Sequence, residues 1–314
     1  MFTTSNNEHL IRSQLWSTRL KSHPEEFLQA KSYVDMLTDF PDGDQLSIPS
    51  LGQAEIRDYV EGESIKYSRL DTGQFDFTIS EYKQSGYAIT RKMLQDSYVA
   101  NRVVSAMEPK MRRALDVVME RDILKVGPDG QTASDLNAVN GGNHRFIGGG
   151  TNEVIEVKDF QRANYAMDRA NIPSSGRVAI VDPSVAFELS TATNLVNVSN
   201  NKAWEGIIRD GMNDNMRFFM NVYGWDVYVS NLLKTGVNET IDGKTSAAGV
   251  ANLFFSTHSD TAPFIGAIRQ APIVDSGFNK DLQQEEYALT ARYGFGLYRP
   301  EALVTIITDT DQVS

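Results

Sequence analysis

The hydrophobic period of this chain switches abruptly after Ile89, and that switch fixes much of what the chain can become. Residues 74–90, QFDFTISEYKQSGYAIT, alternate Phe75, Phe77 and Ile79 with Asp76, Thr78 and Ser80; Tyr87 and Ile89 resume the pattern after a polar interruption. Period two marks strands with one apolar face. From Tyr87 to Val126 there is no glycine, and Val99, Val103, Met107, Met111 and Leu115 recur every four residues, with Val118 next. That is a stripe along one helix face, and about 30 helical residues at 1.5 Å each make a rod about 45 Å long. Pro109 predicts a kink or a helix restart within it.

The residues before the alternating stretch, from 45, are also extended in character but heavily charged, and Gly52, Gly62 and Gly73 break them. If 45–67 runs out and 74–90 runs back, each arm of about 20 residues is about 65 Å long. A compact globule of this size has a radius of gyration of only about 20 Å. The ribbon then projects, unless its glycines fold it into a meander. An isolated two-stranded ribbon is marginal in water, and each apolar side chain is worth about 1.5–3 kcal/mol on burial. A projecting ribbon therefore predicts that a neighbouring subunit covers Phe75, Phe77 and Ile79. The charges Arg57, Asp58, Glu61, Glu63, Lys66 and Arg69 would set register and partner choice. On this reading Phe77→Asp leaves the monomer folded and blocks assembly.

Further along, 127–152 reads as a long glycine-rich loop and 158–170 as an amphipathic helix. Val178 to Val181 is a fully apolar strand ended by Asp182-Pro183, and a helix follows over 184–191. Residues 223–231 read as a strand, 232–249 as a second long loop, and Tyr287, Leu289, Tyr293, Phe295 and Leu297 share one face of a long strand. Residues 5–38 read as helical. Strands and helices mix without βαβ alternation or a fixed repeat, so the fold class is α+β.

Chemistry is sparse. There are no cysteines, which removes disulfides, thiol nucleophiles and cysteine zinc sites. The four histidines, His9, His23, His144 and His258, form no metal-binding spacing. DGKTS at 242–246 lacks the phosphate-loop glycine, because position 238 is Asn238; it reads as a surface loop. No metal, cofactor or catalytic residue is assigned. No apolar run reaches the roughly 20 residues that span a bilayer, and the N-terminus has no secretory pattern. With Asp+Glu 41 against Lys+Arg 30, the net charge of −11 opposes a phosphate-gripping surface.

Three phrases carry a resemblance. A helix leads into NIPSSGRVAIVDP at 171–183; YGWDVYVSN follows at 223–231 and YGFGLYRPEALVTI at 293–306. With the helical N-terminus, charged ribbon and long helix, this order of parts resembles the major capsid protein of tailed bacteriophages, the Hong Kong ninety-seven type of fold. The resemblance implies an N-terminal arm over 1–44 and an extended loop over 45–90 lying across the adjacent subunit. It also implies a peripheral domain with a spine helix over 91–126, an axial domain over 127–280 and a return through the peripheral domain over 281–314. It implies a homo-oligomer of pentamers and hexamers in an icosahedral shell enclosing DNA without sequence-specific binding. The partners implied are a portal protein and a cement or decoration protein, with no membrane, and the location is the virion, assembled in the host cytoplasm. Relatives with a built-in scaffold carry a long charged N-terminal extension, which this chain lacks. Either a separate scaffolding protein or a precursor from which the extension was cut is therefore expected, and Met1 favours the former.

Two other readings compete. An encapsulin-type compartment shares the fold and holds an enzyme cargo. A monomeric α+β enzyme would build its site from loops 127–152 and 236–249.

Overall fold

The computed structural model describes residues 28–37, 45–51, 58, 61, 64, 72–96, 100–191 and 218–309. A 3-10 turn, Ala30–Tyr33, leads into β1 (Val34–Met36). β2 (Gln45–Leu51) and β3 (Thr72–Thr78) pair antiparallel as a two-stranded ribbon. β4 (Glu81–Thr90) follows, then α1 (Arg91–Asp96) and the rod α2 (Ala100–Gly130). At 31 residues the rod is about 46 Å long. It does not restart at Pro109, which lies exposed inside a single helix. The buried stripe that follows, Met111, Leu115 and Met119, holds the helix past the missing N–H.

Near the chain end lie β11 (Phe264–Asn279) and β12 (Gln284–Leu297). With β1 and β4 they form a four-stranded sheet in the order β1-β11-β12-β4. Met111, Leu115 and Met119 of α2 bury against Leu289, Ala291 and Tyr293 of β12, as the period-four and period-two patterns each require. The Tyr293 hydroxyl donates to Asp122 of the rod at 2.7 Å. One turn on, Ile123 and Leu124 enter a second core with Val178, Ile180, Leu253, Phe255 and Phe264.

That second core lies on one face of a larger sheet. Its elements in chain order are β5 (Arg145–Ile147), α3 (Val157–Arg169), β6 (Arg177–Val181), α4 (Pro183–Thr191), β7 (Phe218–Val222) and β8 (Trp225–Val229), then β9 (Val237–Ile241), β10 (Lys244–Ser256) and β13 (Leu303–Thr308). The strand order is β5-β13-β10-β6-β8-β7, with β9 paired to β10. β6 is buried throughout, so its run of apolar residues needs cover on both faces. α3 supplies the second cover: Phe160, Ala163, Ala166 and Met167 face Trp225 and Phe254. Phe160 and Trp225 each meet the Phe254 ring edge-on at 5.1 Å. A capping box between Glu156 and Asp159 starts α3.

Several sequence expectations are corrected here. Residues 74–90 are not one arm: β3 pairs with β2, whereas β4 pairs with β12 over Glu81–Thr90. Alternation reports which face is apolar and says nothing about the partner strand. The described ribbon pairing is seven residues long, about 23 Å; most of 52–71, where the length of the arms would be decided, lies outside the described residues. Residues 236–249 are not a loop: β9 and β10 form a hairpin turning at Asp242 (φ 51°) and Gly243 (φ 77°), the Asp-Gly pair that a primed turn favours. Of the helix expected over 5–38, Val34–Met36 is instead a strand, parallel to β11, and the rest before Leu28 lies outside the described residues. The boundary expected at 280 falls in the β11–β12 turn, and β11 belongs to the four-stranded sheet from Phe264 onward.

Candidate assembly interface

The ribbon root is the first place to look for a surface left incomplete by the single chain. On its apolar side Phe77 is 1% exposed and Ile79 3%. They pack with Ile265 and Ala267 of β11, with Leu37, Ile48, Phe75 and Tyr298 partly buried around them. Phe75, half-buried, meets the Tyr298 ring edge-on at 5.2 Å. Cover for Phe77 and Ile79 therefore comes from the subunit itself, contrary to the expectation of a neighbour. The reason is a pair of glycines. A Cβ on Gly294 would lie 2.9 Å from the Ile79 Cα and the Thr78 carbonyl, and one on Gly296 would lie 3.2 Å from the Phe77 ring. The phrase YGFG thus clears a channel on β12 in which the ribbon backbone lies. A glycine inside a strand marks such a close approach, and that signal was present in the sequence without a partner to attach it to. On the polar side Asp76 accepts hydrogen bonds from Ser47 and Gln74.

Of the charges expected at the ribbon, Asp58 and Glu61 are exposed. Arg57, Glu63, Lys66 and Arg69 lie outside the described residues. The structure brings Phe75, Phe77 and Ile79 together on one face of the ribbon root.

The two segments proposed for an enzyme site do meet, but around a filled core. Arg145 grips Glu239 with two bonds, Nη2 to Oε1 at 2.6 Å and Nε to Oε2 at 2.9 Å. Their side chains are 0% and 8% exposed. Arg145 Nη1 also donates to the Pro128 carbonyl and to Gln131, and Glu239 accepts from the Ser134 N–H. Burial pushes the Glu239 carboxyl up, and the Arg145 guanidinium and the Ser134 N–H outweigh it, leaving the group below the usual carboxylate range. His144 is buried between two carbonyls, Nδ1 3.0 Å from Gly142 and Nε2 3.0 Å from Glu301. Its burial holds the ring below the ordinary histidine value, against the pull of those carbonyls. Lys244, the lysine of DGKTS, donates to the Gly148 and Gly149 carbonyls at 2.7 and 2.9 Å. The polar tips of Arg145, Glu239, His144 and Lys244 are spent on the chain's own backbone, on Gln131 and on their ion pair. Among the described residues no group of three or more His, Cys, Asp or Glu side chains could hold a metal, and no helix is long and apolar enough to cross a membrane.

Comparison with known proteins settles the family. The model of a family described as phage capsid protein matches residues 74–306, from β3 into β13. The chain belongs to that family. The solved structures with the same fold include a chain from the capsid structure of the cyanophage P-SCSP1u, with TM-score 0.73 and 14% identity over 95% of this chain and 93% of that one. A chain from the mature capsid of bacteriophage PhiM1 gives 0.70 and 11%, covering 96% and 93%. One from Mycobacterium phage Che8 gives 0.67 and 17%, covering 94% and 96%. No curated protein matches by sequence. This capsid protein therefore has the Hong Kong ninety-seven type of α+β fold, and it is a self-assembling major capsid protein of a tailed phage.

Proposed function

We propose that copies of this capsid protein meet through the ribbon beyond its clamped root, residues 52–71, each ribbon lying across an adjacent subunit. Arg57, Asp58, Glu61, Glu63, Lys66 and Arg69 then set register, while Phe77 and Ile79 fix the direction in which the ribbon leaves its own body. The observation that carries this reading is the root itself: a short two-stranded ribbon locked into the β12 glycine channel, with Asp58 and Glu61 exposed in the charged segment that joins its strands. The rod α2 serves as the spine of a peripheral domain, and the region around α3 and the β9–β10 hairpin faces the centre of a pentamer or hexamer. The shell encloses double-stranded DNA, and its acidic chains (net charge −11) hold phosphate at a distance. A separate scaffolding protein, a portal protein at one vertex and a decoration protein outside are the partners; assembly takes place in the host cytoplasm. The protein performs no catalysis, and family membership favours a phage shell over a cargo-holding cellular compartment.

Electron microscopy of the purified chain, alone and co-expressed with the scaffolding protein of the same phage, tests this. Closed shells or capsomers are expected; a stable monomer under both conditions would overturn it. Reversing Arg57, Lys66 and Arg69 together to Glu should abolish shells while leaving the monomer's circular dichroism unchanged.

A further inference from the structure

Beside the start of the described chain a cavity of about 580 Å³ opens, with Leu28, Gln29, Tyr33, Asp116, Met119 and Tyr228 in its wall. Glu120, in the same wall, is already committed. Its Oε1 accepts the backbone N–H groups of Gln29 and Ala30 at 2.8 Å, and its Oε2 accepts that of Ala30 at 2.9 Å. The carboxylate fastens the 3-10 turn to α2 and has little left to offer a ligand. Two other acceptors are not committed. Gln29 is 9% exposed, and its side-chain oxygen is buried with no hydrogen-bond partner, a state as costly as a lost hydrogen bond. Asp116, half-buried one helical turn before Glu120, makes no ion pair among the described residues. Lys31 stands exposed in the same wall and forms no ion pair with Asp116 among the described residues.

The rest of the wall completes a chemical profile. Leu28 and Met119 are apolar, and Tyr33 and Tyr228 contribute aromatic rings. Burial holds the Tyr33 phenol far above its ordinary value, and Tyr228, Asp226 and Glu120 push it the same way. An anion would meet Asp116 and Glu120. An apolar guest would leave the Gln29 oxygen without a donor. We propose that this cavity is a receptor for an organic cation, an ammonium or guanidinium group on an aliphatic stem. The head donates to Asp116 and Gln29, the stem lies along Leu28 and Met119, and the tyrosine rings flank the charge. A basic side chain of another copy and a free polyamine share this chemistry.

The test begins with unassembled full-length chain, so its outcome does not depend on the shell reading above. Titration calorimetry with putrescine and, separately, with N-acetyl-argininamide should show saturable binding of at least one probe. Binding should be about tenfold weaker in Asp116→Asn, the loss expected of one charged hydrogen bond, and weaker also in Gln29→Leu. The melting temperature of ligand-free Asp116→Asn should match that of the unaltered chain. No saturable heat with either probe, or equal affinity in Asp116→Asn, would overturn the proposal. The source of the cation is read from particles built of isotopically light and heavy chains carrying a photo-crosslinking benzoylphenylalanine at Ser32. A light–heavy crosslink to a lysine- or arginine-bearing segment assigns the cation to another copy. No crosslink, with putrescine binding retained, assigns it to a free polyamine. A crosslink to residues 1–27 of the same chain would overturn the proposal, because the chain would then fill its own cavity.

Discussion

Phe77 and Glu239 show what single side chains contribute, one through apolar contact and one through charge. Phe77 is enclosed by its own subunit, so Phe77→Ala should destabilise the monomer by about 3–5 kcal/mol, the usual range for a buried ring lost to a cavity. Urea denaturation measures it. Phe77→Asp buries a carboxylate without a partner and should yield insoluble chain; soluble, folded Phe77→Asp that fails only to assemble would restore the expectation of an intermolecular cover. Glu239 is half of a bidentate pair with Arg145. Glu239→Gln leaves the guanidinium buried and uncompensated, at a cost of about 3–5 kcal/mol. The sign of its pH dependence follows from its depressed folded value. This contribution is fully present above the unfolded carboxylate pKa of about 4.3 and is lost as pH falls through the lower folded value. Denaturation curves from pH 6 downward should therefore lose stability more steeply in the unaltered chain than in Glu239→Gln.

Among the elements, β12 is the member on which the others converge: β11 and β4 flank it, α2 covers one face, and the ribbon root lies in its glycine channel. Gly294→Ala places a methyl group against the ribbon backbone. Overpacking of this kind costs about 1–3 kcal/mol, and hydrogen exchange should accelerate at 72–80 before it does in α3 or β6. Equal protection in the variant would show that the channel has room to spare. The elements legible in the sequence were those with a self-sufficient pattern: the rod from its four-residue stripe, β6 from its unbroken apolar run, β12 from the alternation of Leu289, Tyr293 and Phe295. The missed ones depend on partners far along the chain. β1 has three residues and exists because β11 receives it, and β4 looks like a continuation of β3 until β12 claims it. The β9–β10 hairpin has a local signal in Asp242-Gly243, but the strands on either side carry too little unbroken apolar pattern to be told from a surface loop. As for the candidate interface, the sequence identified Phe75, Phe77 and Ile79 as a set but assigned their cover to the wrong chain. The family resemblance rests on the order of parts and the three phrases together, and the phrases and the rod do not depend on which chain covers Phe77.

For the whole molecule, charge and connectivity matter most. Each copy carries −11, so bringing copies together raises a repulsion that salt screens, with a Debye length shrinking from about 30 Å at 0.01 M to about 8 Å at 0.15 M. Light scattering should show the concentration needed for assembly falling as salt rises over that interval. A rise instead would mean that opposite charges between ribbons and their neighbours outweigh the net charge. The rod enters the cores of both sheets, through Met111, Leu115 and Met119 at one and Ile123 and Leu124 at the other, and so braces the tile against bending along its length. A closed surface paved with such stiff tiles takes its curvature at the seams, where copies tilt against each other, and the pitch of those seams rather than any flexing within a tile sets how large a volume is enclosed.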